Sequence, residues 1–215
     1  MENNRPDTYS EVQTWNEVTL VYSSALKQIN TKLEILNDEF QHVHQYNPIE
    51  HIKSRLKTPE SIVKKLKKYG QESTIENMVT YVNDIAGIRI ICSFTSDIYR
   101  IAEMLSNQTD IKVLEVRDYI ENPKPSGYTS YHMLVTMPIY LSDKIVETKV
   151  EIQIRTVAMD FWASLEHKIN YKFEGNVPDN IRDQLVECAQ MVSKLDNRML
   201  LLNEEVKQLD QSGDL

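Results

Sequence analysis

The sequence predicts an α/β (α+β) fold in which a mixed sheet is surrounded by helices, with a long helix towards each end of the chain. Strictly alternating or continuously apolar segments are interspersed with segments whose apolar residues recur every three or four positions. Heptad patterns at 15–43 and 181–209 bracket these segments. With 215 residues, 41% hydrophobic and 26% charged, the chain can bury a core, and we expect one domain with appendages.

We expect the chain to divide into three parts. Residues 1–14 form a polar N-terminal tail, residues 15–175 a central domain that includes the first long helix, and residues 176–215 a C-terminal oligomerisation helix. The seam of the last helix is long for a small sheet to cover, which favours a homo-oligomer assembled through the terminal helices. The alternative is that the two terminal helices pack on each other.

Local signals place each element. Thr58 and Thr156 are expected to cap helices, Gly70 ends one, and Thr95 or Ser96 is expected to cap another. In the helix after Thr156, we expect Phe161, Trp162 and Leu165 to be core. The expected elements in chain order are a helix at 15–43, a strand at 49–56, helices at 59–69 and 74–81, a buried strand at 88–94, a helix at 95–105, a strand at 111–120, a loop at 121–127, an antiparallel hairpin of strands 131–141 and 144–155, a helix at 157–171 and the last long helix.

Charge and composition exclude several classes of protein. A net charge of −8 and a pI near 5.2 argue against coating nucleic acid or an anionic membrane as the main function. No apolar run approaches the roughly 20 residues of a spanning helix, and the polar start is not a secretory signal, so we expect a cytoplasmic protein. The two cysteines, Cys92 and Cys188, lack zinc-ligand spacing and are expected to be free thiols.

A basic segment at 51–69 carries the first functional signal, with seven cations against the single acid Glu60. Such a run is commonly a solvated helix face. However, Arg55 and Lys57 alternate on extended chain just before a helix N-terminus, where free N–H groups favour an anion. Ser61 and Lys65 share one helical face close to that end. Together these residues suggest a polyphosphate site.

Two carboxylates next to core strands give the second signal. Asp84 precedes a buried strand that contains Arg89, and Glu151 lies on the polar face of an alternating strand with Gln153. Magnesium in phosphate chemistry takes one or two carboxylates plus substrate oxygens and water. The alternatives are a solvated strand face for Glu151 and a structural acid partner for Arg89.

The loop at 121–127 and the strand after it give the third signal. Tyr128 offers a flat surface for a base, while Lys124 and His132 lie nearby in sequence, with Arg117 on the preceding strand. Tyrosines in loops are more often packing residues. The crowding of these groups makes a second ligand pocket plausible.

Four ordered motifs resemble the synthetase domain of the Rel/SpoT-homologue family, specifically the single-domain small alarmone synthetases. They are His-Ile-Lys-Ser-Arg-Leu-Lys at 51–57, Asp-Ile-Ala-Gly-Ile-Arg at 84–89, Pro-Ser-Gly-Tyr at 125–128 with His132, and Glu-Ile-Gln-Ile-Arg-Thr at 151–156 leading to Trp162. The first motif and Met-Asp-Phe-Trp at 159–162 are closer to the RelP-like than to the RelQ-like branch. The likeness covers roughly residues 15 to 210.

The resemblance implies a nucleotidyltransferase-like sheet and a GTP pyrophosphokinase. This activity moves the β,γ-pyrophosphoryl group of ATP to the 3'-hydroxyl of GDP or GTP, giving AMP and ppGpp or pppGpp, with Mg²⁺ as cofactor and a homotetramer as assembly. Asp84 would ligate the metal, and Glu151 would share it or activate the hydroxyl. The implied ATP-binding residues are Arg55, Lys57, Ser61, Lys65 and Arg89. The implied GDP/GTP-binding residues are Tyr128, His132, Gln153, Lys124 and Arg117.

The sequence also departs from the family pattern. Thr129 stands where many members carry arginine, which puts one acceptor-phosphate contact in doubt. The His-Asp dipeptide of the family's hydrolase domain does not occur, so synthesis without degradation is expected. Two other interpretations remain open: a nucleotidyltransferase that releases pyrophosphate, and a non-enzymatic helical oligomer that binds nucleotide or RNA through residues 64–68.

Overall fold

The computed structural model describes residues 14–173 and 175–212, so the predicted tail lies outside the described residues apart from Thr14. The helices are α1 (Trp15–His44), α2 (Pro59–Lys68), α3 (Ile75–Tyr81), α4 (Thr95–Ser106), α5 (Val157–Lys172) and α6 (Asp179–Ser212). The strands are β1 (Ile49–Leu56), β2 (Ala86–Cys92), β3 (Lys112–Asp118), β4 (Tyr131–Tyr140) and β5 (Ile145–Thr156). The predicted order of elements is confirmed.

The strands form one mixed sheet, as predicted, and its five strands lie in the order β1-β2-β5-β4-β3. The β2–β5 pair is parallel, and the other pairs are antiparallel, including the predicted β4–β5 hairpin. The strand with the alternating pattern, β5, is central. Its residues Val150, Ile152 and Ile154 are fully buried, which leaves Glu151 and Gln153 on the opposite face.

The heptad seam of α1 packs within the chain. Ile29 and Leu33 are fully buried in the main core, and Phe40 is 5% exposed. Val43, near the C-terminal end of α1, is 66% exposed. The N-terminal seam is therefore largely used to cover the sheet, which leaves little of it for contact with another chain.

In contrast, much of the predicted seam of α6 is exposed. Leu195, Met199 and Val206 are 54%, 48% and 55% exposed. The side chains that α6 does bury are Ala189 and Asp196, which lie off that seam. The apolar stripe of α6 therefore faces away from its own domain along the outer part of the helix.

Two of the three predicted helix caps are present in the structure. Thr58 and Thr156 cap α2 and α5 as expected. The predicted cap of α4 is wrong, because Phe94 occupies the N-cap position and the Asp97 carboxylate accepts from its N–H at 3.1 Å.

In α5, Trp162 is buried, but Phe161 is 64% exposed and Leu165 is 42% exposed. Only a narrow face of α5 packs inward, so the prediction that these two residues are core is wrong.

No helix at 14–173 or 175–212 is long and apolar enough to cross a membrane.

Candidate active site

The strand register lines up the polar side chains on the face of the sheet opposite α1. Directly paired residues on neighbouring strands point to the same face. One row crosses all five strands: Lys53, Arg89, Gln153, His132 and Arg117, from β1 to β3. The adjacent row begins with Arg55, Gly87 and Glu151. Residues predicted from four separate segments are thus brought onto one surface.

Two clefts open on this surface and meet at Glu151. The Arg89 cleft, about 230 Å³, is lined by Lys53, Ser54, Arg55, Gly87, Ile88, Arg89, Glu151 and Gln153. The His132 cleft, about 120 Å³, is lined by Lys65, Tyr69, Tyr81, Asn83, Glu115, Arg117, His132, Met133, Leu134 and Glu151. Gly87 lies beside Arg55 in the first cleft, and a Cβ added to Gly87 would stand 3.8 Å from Arg55 Cγ, in ordinary van der Waals contact. Glu151 lines both clefts, so its carboxylate is accessible from either one.

Asp84 forms a compact ionic cluster with the basic segment. Its two carboxylate oxygens accept from Lys57 Nζ and Lys65 Nζ, each at 2.8 Å. Burial disfavours the charged carboxylate, but the two lysine hydrogen bonds outweigh it and lower the pKa of Asp84. Burial likewise opposes the charge on Lys65, yet its bond to Asp84 raises the pKa of that ammonium. Both charges are therefore held at neutral pH.

Ser61 stands in the first turn of α2, where its hydroxyl accepts from Thr58 Oγ1 at 3.0 Å. It is exposed and lines neither cleft. Lys65, four residues later, does line the His132 cleft. The structure thus brings Lys57, Lys65 and Asp84 together, while Ser61 lies at the edge of this group.

The loop before β4 brings its aromatic and basic groups together. Tyr128 Oη lies 2.8 Å from His132 Nε2, and Lys124 Nζ lies 4.8 Å from the centre of the Tyr128 ring. Arg117 pairs with His132 in the strand register. Burial and the surrounding cations, Arg155 foremost, lower the pKa of His132 to about 3. The imidazole is therefore neutral at physiological pH.

A buried ionic network behind these groups was missed by sequence reasoning. Arg155 is 4% exposed, and its Nη1 donates to Asp160 Oδ1 at 3.1 Å. Arg89 Nη1 donates to the same oxygen at 3.2 Å. Arg89 thus has the structural acid partner that was one of the two alternatives. Its Nε is buried without a hydrogen-bond partner among the described residues, while the rest of the side chain lines the Arg89 cleft, where a ligand can contact it.

Asp84 and Glu151 have the donor chemistry for a hard divalent cation. Among the described residues, no group of three or more His, Cys, Asp and Glu side chains is placed to hold a metal ion. Magnesium needs fewer, because it keeps waters and binds substrate phosphates alongside one or two carboxylates. Each Asp84 oxygen accepts from one lysine, so a metal ion would bind there through a remaining lone pair or in place of an ammonium that turns towards a phosphate. The residues present fit a magnesium ion that arrives with its nucleotide.

A mixed sheet with two polar clefts that share one carboxylate is the layout of a group-transfer enzyme acting on two anionic substrates. Residues 54–176 match the family described as "Region found in RelA / SpoT proteins". The chain is also 47% identical over 200 residues to GTP pyrophosphokinase YwaC of Bacillus subtilis, covering 93% of this chain and 95% of the relative. It belongs to this family, as the four motifs predicted.

Solved structures agree with the sequence relatives. Small alarmone synthetase 2 from B. subtilis superposes with a TM-score of 0.81 at 46% identity, covering 89% of this chain and 98% of that one. Small alarmone synthetase 1 from the same organism, bound to its product pppGpp, gives 0.83 at 36% identity, covering 90% and 98%. These matches confirm the predicted fold and the single-domain small synthetase class. The assignment to the RelP-like branch stays a prediction.

Proposed function

We propose that this protein is a GTP pyrophosphokinase that synthesises ppGpp or pppGpp from ATP and GDP or GTP. The observation that carries the proposal is Glu151, which lies where the two clefts meet and is therefore within reach of both substrates. The names of relatives at 47% and 36% identity, both GTP pyrophosphokinases, support the same reaction. A structure of small alarmone synthetase 1 bound to AMPCPP is a further match.

ATP occupies the Arg89 cleft in this proposal. Arg55 and Arg89 line that cleft, and their planar guanidinium groups suit an adenine ring between them. Lys57 and Lys65 leave Asp84 to hold the phosphates, with Ser61 at the N-terminal end of α2. The free carboxylate of Asp84 then faces the metal. The lysine–Asp84 salt bridges are replaced by lysine–phosphate and Asp84–metal contacts, so binding leaves no buried charge without a partner.

The acceptor nucleotide occupies the His132 cleft. Tyr128 stacks on guanine, and Lys124 and Arg117 supply positive charge for its phosphates. His132 and its neighbour in the strand register, Gln153, which lines the Arg89 cleft where it adjoins the His132 cleft, offer hydrogen bonds. Since His132 is neutral and its Nε2 is paired with Tyr128, it offers the acceptor its other ring nitrogen and adds no further charge to this cationic region.

The reaction is an in-line displacement at the β-phosphorus of ATP. The acceptor 3'-oxygen forms a bond to that phosphorus, the bond from it to the α,β-bridging oxygen breaks, and AMP leaves. Glu151 accepts the proton of the 3'-hydroxyl. Mg²⁺ held by Asp84 and Glu151 would neutralise charge on the phosphate oxygens when bound. Lys57 and Lys65 hold the same oxygens, which stabilises charge that develops in the transition state.

We further propose that the protein is a cytoplasmic homotetramer that makes alarmone without degrading it. The exposed apolar stripe of α6 supports assembly, because exposed apolar surface of that length is rare on soluble monomers. α1 is a poorer candidate for the contact, since most of its seam is buried within the chain.

The proposal is tested by incubating the protein with Mg²⁺, γ-labelled ATP and GDP or GTP. Label in guanosine tetra- or pentaphosphate, with AMP released, is the expected result, and Asp84→Asn should abolish it. Label in free pyrophosphate would instead identify a nucleotidyltransferase, and untouched ATP would identify a nucleotide-binding or RNA-binding oligomer. Tyr128→Ala should weaken acceptor binding far more than ATP binding; equal losses would remove Tyr128 from its proposed role.

A further inference from the structure

A continuous set of hydrogen bonds joins the two proposed nucleotide sites behind the sheet surface. It starts at Arg89 in the donor cleft, passes through Asp160 Oδ1 to Arg155, and reaches Tyr128 Oη through Arg155 Nη2 at 2.5 Å. Tyr128 Oη in turn lies 2.8 Å from His132 Nε2. One acid on α5 is thus shared by arginines from two neighbouring strands.

Donor chemistry fixes the direction of the hydrogen bonds that Arg155 and Arg89 make. A guanidinium can only donate, so Tyr128 Oη accepts from Arg155 and its own proton is available for His132 Nε2. With Tyr128 as the donor, the imidazole proton lies on Nδ1; with the proton on Nε2, the imidazole donates to the second lone pair of Tyr128 Oη, and the two side chains are joined in either tautomer. The phenol and the imidazole, both proposed to contact the acceptor, are therefore oriented by a group that lines neither cleft.

Arg155 is held too firmly to be a solvated side chain. Its Nε donates to the buried Ser130 hydroxyl at 3.3 Å, and its Nη2 also donates to Gln153 Oε1 at 3.3 Å. A buried guanidinium with this many partners moves only when they move. Gln153 is another proposed acceptor contact, so Arg155 touches two residues of the acceptor site.

From this network we infer that Arg155, fixed by Asp160, is a positioning residue that couples occupancy of the ATP site to the order of the acceptor site. The inference rests on the proposed function. Adenine stacked on Arg89 restrains the guanidinium that shares Asp160 with Arg155, and the smaller freedom of Arg155, Tyr128 and Gln153 lowers the entropic cost of binding guanine. By linkage, each nucleotide raises the affinity of the other by the same factor.

The test is binding calorimetry with α,β-methylene-ATP and GDP in the presence of Mg²⁺. The analogue has no bridging oxygen to cleave, so coupling is measured without chemistry. For the wild type, we expect each nucleotide to tighten the other by about tenfold, within the usual range of such couplings. Arg155→Lys keeps the charge but cannot span Asp160 and Tyr128, and should bring this factor close to one.

Tyr128→Phe is the second variant, because it keeps the stacking ring and removes only the hydroxyl. It should lose the coupling to the same extent as Arg155→Lys, and the double variant should lose no more. Arg100→Lys is the matched control, since Arg100 lies over the Phe40 ring away from both clefts and should keep the wild-type factor. Melting temperatures of all variants are measured in parallel.

Two results would overturn the inference: a wild type without coupling, or an Arg155→Lys protein that keeps the coupling factor while both affinities fall equally. The second outcome would show that Arg155 is merely structural. The proposed function fails separately. A wild type that couples the two nucleotides but transfers no label would refute the pyrophosphokinase and leave the coupling intact.

Discussion

Substitution of Gly127 tests how the acceptor loop is held against α6. Gly127 has φ +86°, and a Cβ built on it would stand 2.6 Å from Ala189 Cβ on α6. Its N–H donates to Lys124 O at 2.8 Å, which closes a tight turn directly before Tyr128. A side chain here must therefore move the turn, the helix or both.

The loss in free energy of unfolding expected for Gly127→Ala has a backbone part and a packing part, which can be measured separately. A left-handed conformation costs a non-glycine residue about 1–2 kcal/mol. Overpacking against α6 adds about 1–3 kcal/mol. For a chain of this size each kcal/mol lowers the melting temperature by about 2–4 °C. Gly175 has the same φ of +86°, and a Cβ added there would meet no atom within 4 Å, so Gly175→Ala isolates the backbone part.

The assay is thermal unfolding together with KM for GDP and for ATP. Gly127→Ala should lower the melting temperature more than Gly175→Ala does, and should raise KM for GDP more than KM for ATP, because Tyr128 is the adjacent residue. Adding Ala189→Gly removes the closest atom and should recover part of the acceptor KM. Equal melting temperatures and unchanged KM values in the two single variants would refute the proposed docking of the loop on α6.

Three further predictions concern chemistry, pH and assembly. Glu151→Gln should lower kcat by about 10²–10⁴-fold, because the general base is lost, while α,β-methylene-ATP still binds, as measured by label transfer and calorimetry. The pKa of His132 is lowered from 6.5 to about 3, so between these pH values the unfolded chain binds a proton that the folded protein does not. The free energy of unfolding, measured by urea titration, should therefore fall on acidification in this window by up to about 1.4 kcal/mol per pH unit. His132→Gln should remove this loss, whereas the control His167→Gln, at an exposed histidine, should show the same loss as the wild type. Leu195→Glu should reduce the oligomer measured by light scattering, while Asn197→Glu, on another face of α6, should leave it intact.

The strand pattern of β5 shows how far sequence reasoning reaches. Strict alternation assigns Val150, Ile152 and Ile154 to the core and leaves Glu151 and Gln153 on the open face, and the structure agrees. Alternation is a property of neighbouring residues, so it can be predicted without knowledge of the partners. The same holds for the caps at the N-terminal ends of α2 and α5.

Other features depend on what packs against an element. A heptad pattern indicates an apolar face but does not say whether a sheet or a second helix covers it, and the seams of α1 and α6 differ in this respect. Phe161 and Leu165 were expected to be core for the same reason. The pairing of Arg155 and Arg89 with Asp160 joins β5, β2 and α5, and no local pattern indicates which acid two strand arginines share.

Transfer of an intact pyrophosphoryl group is tested most directly by following both the β and γ phosphates of ATP at once. With ATP labelled at both positions and GDP as acceptor, we expect the two labels to reach the guanosine 3'-position together, in equal molar amounts, with one AMP released per product. Appearance of the β label in ADP, or of both labels in free pyrophosphate, would contradict the proposed reaction.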